Sequence, residues 1–185
     1  NWILTNIDKS PKISDAKKTQ YKGEAHFLRG LYYFNLVRLF GDVPWIDKQQ
    51  TASDDLQVSR TSKDIVYQHI IDDFSDAASM LPAVYENTTD IGRATKGAAF
   101  GLLAKVYLTL KRYNETLVAI DSVTNLGVYS LNRKYEWNFS DLRENGPESL
   151  FEVQYEKDVT AYSEFDILGQ GGWHHEYMAD RKSVV

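Results

Sequence analysis

The stretch Gly23–Trp45, GEAHFLRGLYYFNLVRLFGDVPW, restricts the fold more than any other part of the chain. Between Ala25 and Phe40 the apolar residues are Phe27, Leu28, Leu31, Tyr32, Tyr33, Phe34, Leu36, Val37, Leu39 and Phe40. At about 3.6 residues per turn they spread over most of a helix circumference instead of one stripe. A helix of that kind is expected to be a buried rod, with other helices packed on most sides. Gly41 ends it, because glycine tolerates the left-handed conformation that follows a helix C-terminus. Pro44 prevents its resumption.

The 185 residues are enough for one domain with a sizeable core, or for part of a larger one. The chain opens on Asn1 within an apparently helical segment, and it is expected to be a piece of a longer polypeptide. No apolar run approaches the roughly 18 residues of a membrane span. The net charge of −5, with dispersed Lys and Arg, argues against nucleic-acid binding, which needs a basic stripe. With no cysteine, disulfides, thiolate catalysis and Cys-based zinc sites are excluded from this stretch.

Taken in order, Trp2–Asp8 carries one apolar helical face, and Ser14 is the expected N-cap of the long helix. Residues 41–60 form a long connection of a length that is more often functional or interacting than idle. Thr61 with Asp64 fits a capping pattern for the next helix, which ends before Pro82. That helix presents Ile65, Ile70, Phe74, Ala77, Ala78 and Leu81 on one face, with Asp64, Asp72, Asp73 and Asp76 largely toward solvent. Thr95 caps a further helix that is thin at Gly97 and Gly101, which reads as close helix packing. A last helix follows from Glu115 and stops at Gly127. Alternation at Leu150–Tyr155 is the period-two sign of a half-buried strand. Residues 160–185 read as irregular.

The helices pair up. Gly30 and Tyr33 stand at the small and aromatic positions of a tetratricopeptide first helix, and Ile70, Phe74, Ala77 and Pro82 follow the second. Leu103, Ala104, Tyr107, Thr116, Ile120 and Val123 repeat the spacing. The expected organisation is a mainly α chain of antiparallel helix pairs. Residues 16–40 pair with 62–81 around the inserted loop 41–60, and 95–111 pair with 115–126. Residues 127–185 are irregular, with a small β element near 150–155.

Motifs for chemistry are sparse. A glycosidase needs two carboxylates facing each other across a sugar, whereas Asp72, Asp73 and Asp76 read as a solvated helix flank. His174-His175-Glu176 lack evident partners for a metal site, and there is no P-loop, GxSxG or HExxH. Neither a metal nor another cofactor is expected. Arg29, Arg38 and Asp42 read as pairing groups that orient the loop, and Arg93 as a structural group at a helix start. The aromatics are better binding candidates, because an apolar ring face stacks on a pyranose while polar neighbours take its hydroxyls. Trp173 with His174, Trp45 after Pro44, and Trp137 near Tyr135 and Asn138 are the candidate ligand residues. For each of them core or rim packing is the competing and commoner role.

The stretch Gly23–Trp45 resembles the signature of the SusD/RagB family of outer-membrane nutrient-binding lipoproteins of Bacteroidota. The resemblance continues in order through Arg60–Tyr67, Ile71–Phe74, Leu81-Pro82, Gly92–Ala99, Lys105–Leu108, Tyr113 and Glu148–Tyr155. It implies a SusD-like superhelix of tetratricopeptide-like helix pairs. It also implies a cell-surface lipoprotein, anchored in the parent chain through an N-terminal cysteine this sequence lacks. Such a protein acts as the lid of a SusC-type TonB-dependent transporter and captures oligo- or polysaccharide without enzymatic activity. In relatives the ligand residues come largely from outside this stretch, so no ligand residue carries over by motif. The alternative is a helix-repeat adaptor that binds a protein and no sugar.

Overall fold

A computed structural model describes residues 1–154, except for 52, 55, 56, 141 and 142. Five α-helices follow one another: α1 Trp2–Asn6, α2 Asp15–Phe40, α3 Lys63–Met80, α4 Lys96–Thr109 and α5 Tyr113–Asn125. Short 3-10 turns lie at Ile7–Lys9, Thr88–Asp90 and Tyr135–Phe139. Helices α2 to α5 stack in chain order, each packing on the next, as antiparallel helix pairs of tetratricopeptide type. No helix among the described residues is long and apolar enough to cross a membrane.

The helix ends follow from local chemistry. The Ser14 side chain accepts from Lys17 N at the start of α2, and Thr95 Oγ1 accepts from Ala98 N at the start of α4. Gly41 and Gly127 both take φ +68° just beyond α2 and α5, where a side chain would be strained. The start of α3 differs from expectation. Ser62 makes no side-chain cap, and Asp42 Oδ1 instead accepts from Lys63 N at 2.8 Å, reaching across the base of the 41–62 connection.

The core lies between α2 and α3 and continues into α4. Phe27 and Phe34 of α2 meet Phe74 and Tyr67 of α3 edge-on, with ring centroids 5.9 Å and 6.4 Å apart. Each such ring contributes roughly 1.5–3 kcal/mol when fully buried. Gly30 makes the approach possible. A Cβ there would stand 3.1 Å from Cε1 of Phe74, itself fully buried.

Helix α2 is not a rod enclosed on most sides. Gly23, Phe27, Gly30, Phe34 and Val37 are buried, but Leu28, Leu36, Tyr32 (65 % exposed), Leu39 (75 %) and Phe40 face outward. The apolar residues do surround the helix as the composition suggests. The side against α3 is the main covered one, with lesser cover from α1, the Ile7–Lys9 turn, α4 and Phe151, and the rest of the circumference faces outward among the described residues.

Three finer expectations change as well. Asp73 is 2 % exposed and sits inside the α2–α3 interface, whereas Asp64, Asp72 and Asp76 are solvent-facing as expected. In α5 the packing residues are Thr116 and Ala119, while Ile120 is exposed. The thin face of α4 meets the returning chain instead of a helix: Tyr129 lies over Gly97 and Leu150 over Gly101.

No strand is found among the described residues, and the only bridge there joins Val43 to Thr61. The alternation at 150–155 is nonetheless expressed in part. Phe151 turns into the core, 4.9 Å from the Phe27 ring, while Glu152 and Gln154 both bond to Asn145. No ladder partner for it is found among the described residues, and Tyr155 lies outside them.

Two outcomes follow. Gly30→Val drives two methyl groups into Phe74 and is expected to destabilise the protein by about 2–3 kcal/mol, the upper part of the usual cost of overpacking a core. Asp42→Ala removes the α3 cap and costs about 1 kcal/mol. Both are read from denaturant midpoints at constant m-value.

Candidate functional site

The 41–62 connection is tied down at its base. Thr61 N donates to Val43 O at 3.0 Å, and Trp45 N donates to Thr61 Oγ1 at 3.3 Å. Tyr33 Oη donates to Pro44 O and accepts from Ile46 N. Arg29 is the hub. Its Nε and Nη2 grip both oxygens of Asp73 at 2.8 and 2.6 Å, and its Nη1 reaches Asn1 Oδ1 and Asp47 O. His26 Nδ1 adds a contact to Asp73 at 2.7 Å. Burial works against the Arg29 charge, but the hydrogen bond to Asp73 and the Asp73 and Asp47 charges together outweigh it and raise the Arg29 pKa. The Trp45 ring lies in this assembly, stacked on His69 at 4.5 Å, tilted against Tyr33 and with the Arg29 guanidinium 5.1 Å from its centroid. Trp45 therefore sits at the loop base with its faces taken up by protein side chains. Arg38 lies over Phe34 and bonds Asn35.

A second network joins α2 to the start of α4. Arg93 holds Glu24 through two bonds of 2.9 and 2.6 Å, and the Tyr85 hydroxyl lies 2.8 Å from Ala94 O and 3.1 Å from Glu24. Burial first, and the Glu24 charge second, push the Tyr85 phenol well above its ordinary value, so it remains a donor. A cleft of about 280 Å³ opens beside it, between 83–95 and 145–152.

On the other side of the 145–152 segment lies a second cleft, of about 260 Å³, bounded by the 3-10 turn Tyr135–Phe139. The rings of Tyr135 (79 % exposed) and Phe139 (64 %) meet edge-on at 5.2 Å. Beside them Glu148 Oε2 accepts from Asn132 N and from Asn138 Nδ2, both at 3.0 Å, and Asn132 Nδ2 donates to Asn138 Oδ1. The Asn132 N–H, followed by the Asn138 amide, holds the Glu148 carboxyl below its ordinary range. Trp137 is next to this cleft in sequence and half-buried, with the Arg143 guanidinium 3.8 Å from its ring centroid.

Tyr135 and Asn138 thus line the second cleft, the Trp137 ring between them in sequence packs on Arg143 instead, and Trp45 stays at the loop base. Trp173 and His174 lie outside the described residues. Sequence reasoning did not single out Asn132, Phe139 or Glu148. The signal for them is faint, because the polar partners stand 10 and 16 residues apart across a turn. Among the described residues no group of three His, Cys, Asp or Glu could hold a metal ion. Asp73, paired with Arg29 inside a helix interface, is not placed as an acid or base.

Arg29→Ala leaves Asp73 buried without its main partner and is expected to cost about 3–5 kcal/mol in unfolding experiments. Glu148 has a depressed folded pKa, so its contribution is present above the unfolded value and is lost as pH falls through the lower folded one. The Asn132 amide resonance should hold its position down through the ordinary glutamate range and shift only at more acidic pH. In Glu148→Gln that titration should be absent.

Comparison with known proteins places the chain. Residues 1–108 match the SusD-like family model described as starch-binding and associating with the outer membrane. A SusD-like protein, P25, of Formosa agariphila is 27 % identical over 93 % of this chain and 32 % of its own length. The crystal structure of a SusD-like protein from Bacteroides fragilis superposes with a TM-score of 0.77 at 34 % identity, over 85 % of this chain and 31 % of that one. A laminarin-binding SusD-like protein gives 0.75 at 29 % identity, over 83 % and 34 %. The chain spans about a third of the length of these relatives. With its model match across both helices of the first pair and into α4, and the same stack in the solved relatives, this chain belongs to the SusD-like family.

Proposed function

We propose that the protein captures extracellular carbohydrate, without catalysis, as the surface partner of a SusC-type TonB-dependent transporter. The observation that carries this reading is the family match over the α2–α4 scaffold, together with a solved relative described as laminarin-binding. In this reading residues 1–185 form part of one SusD-like domain, and the parent protein is lipid-anchored at the cell surface. The helix pairs face the transporter, the 127–154 side carries ligand contacts, and energy for uptake comes from the transporter. Trp137 and Trp45 enter as candidate ligand residues, Trp45 only if the loop rearranges to free its ring. Trp173 and His174 are carried as candidates on sequence alone.

A second reading is favoured by a specific observation. The outward apolar residues of α2, and Leu117, Val118 and Ile120 of α5, are the kind of surface an adaptor offers a protein partner.

Affinity gel electrophoresis of the full-length protein against a polysaccharide panel separates these readings. The expected result is retardation by at least one glycan with no release of reducing ends. Product formation would mean an enzyme. No retardation by any glycan, with a protein partner retained on co-purification, would establish the adaptor.

A further inference from the structure

We propose that the cleft between the Tyr135–Phe139 turn and the Gly146–Glu152 segment is a subsite for one neutral sugar residue of the captured glycan. The inference rests on the carbohydrate-capture reading and adds to it a location and a chemical class.

Three features support it. Tyr135 and Phe139 are the most water-exposed aromatic pair in ring contact among the described residues, and together they form an angled apolar surface. Burying the C–H face of a pyranose there recovers apolar area that otherwise stays in water. The polar wall alongside is pre-ordered. Asn132, Asn138 and Glu148 already bond one another, so a ligand meets groups whose rotamers are set before it arrives. Capacity remains in that wall. A carboxylate accepts at both oxygens, and the two bonds Glu148 takes from Asn132 N and Asn138 Nδ2 both end on Oε2, so a sugar hydroxyl can approach as a further donor at the other oxygen. Small polar groups converging beside an apolar floor are the usual make-up of a ligand pocket, and about 260 Å³ suits a single hexose better than a long chain.

Charge selects the class. Glu148 and Glu152 line the cleft with Arg143 as the opposing cation, and Arg143 is stacked on Trp137. The Asn132 N–H and the Asn138 amide lower the Glu148 pKa and so favour its ionised form. A uronate or sulfated sugar would meet like charge, whereas a neutral sugar donates hydroxyl protons to it.

The test uses the full-length protein with a neutral α-glucan, a neutral β-glucan and polygalacturonate as probes, read by isothermal titration and by thermal melting. Tyr135→Ala is expected to weaken binding of a neutral glucan at least tenfold, while Tyr135→Phe, which keeps the ring, stays within about threefold. Asn138→Ala is expected to weaken it severalfold. Melting temperatures should stay within about 2 °C of wild type for the exposed Tyr135 variants. Unchanged affinity in Tyr135→Ala overturns the subsite and leaves carbohydrate capture standing. A lowered melting temperature with unchanged affinity does the same, and assigns the cleft to packing against other parts of the protein. Binding of polygalacturonate in preference to both neutral glucans overturns the chemical class. Failure of the wild-type protein to bind either neutral glucan overturns this inference, while the wider polysaccharide panel decides the functional reading beneath it.

Discussion

The approach of α3 to α2 over Gly30 sets the geometry of everything else. Because Gly30 has no side chain, the Phe74 ring lies against the α2 backbone, where Phe27 meets it edge-on, while Phe34 meets Tyr67 further along the same interface. That contact brings Asp73, the neighbour of Phe74, into the interface. A buried carboxylate without partners would be prohibitively costly, and Arg29 and His26, from the adjoining turns of α2, supply them. The same guanidinium then reaches Asp47 O and Asn1, so the long connection and the N-terminal segment are anchored to the core through one side chain.

This explains why the 41–62 insertion does not loosen the helix pair. Closing a loop of that length costs entropy that grows only slowly with its size. The cost is offset locally by the Val43–Thr61 bridge, the Asp42 cap on α3 and the Trp45 stack. The opposite end of the molecule is built differently. There the chain returns after Gly127, lays Tyr129 and Leu150 over the glycines of α4, and inserts Phe151 against Phe27. Two clefts border this returning segment, one against 83–95 and one formed within 132–152, and in the second the Glu148 carboxylate accepts from the Asn132 backbone N–H.

Most of the helical architecture was legible in the chain itself. Ser14, Thr95, Gly41, Gly127 and Pro82 mark helix ends by local chemistry that does not depend on the rest of the fold, and the structure places helix ends at or beside each. The spacing of Gly30, Tyr33, Ile70, Phe74 and Ala77 carried the pairing of α2 with α3, because small and large residues at fixed intervals fit only one packing register. The family signature added what periodicity could not, namely the expectation of glycan capture, which fits a family described as starch-binding and a laminarin-binding relative.

The candidate site was much less legible. Trp45 and Trp137 stand out as tryptophans, but whether a ring is open or covered depends on neighbours brought from elsewhere: His69 and Arg29 for one, Arg143 for the other. Asp73 looks like its solvated neighbours Asp72 and Asp76 until the angle at which α3 meets α2 is known. Likewise the apolar residues around α2 report only that the helix can be covered on several sides, not which sides are covered. Local signals act over a few residues and so are written in the sequence. Exposure, ion pairing and the joining of Asn132, Asn138 and Glu148 into one wall are long-range consequences of packing, and only the tertiary structure decides them.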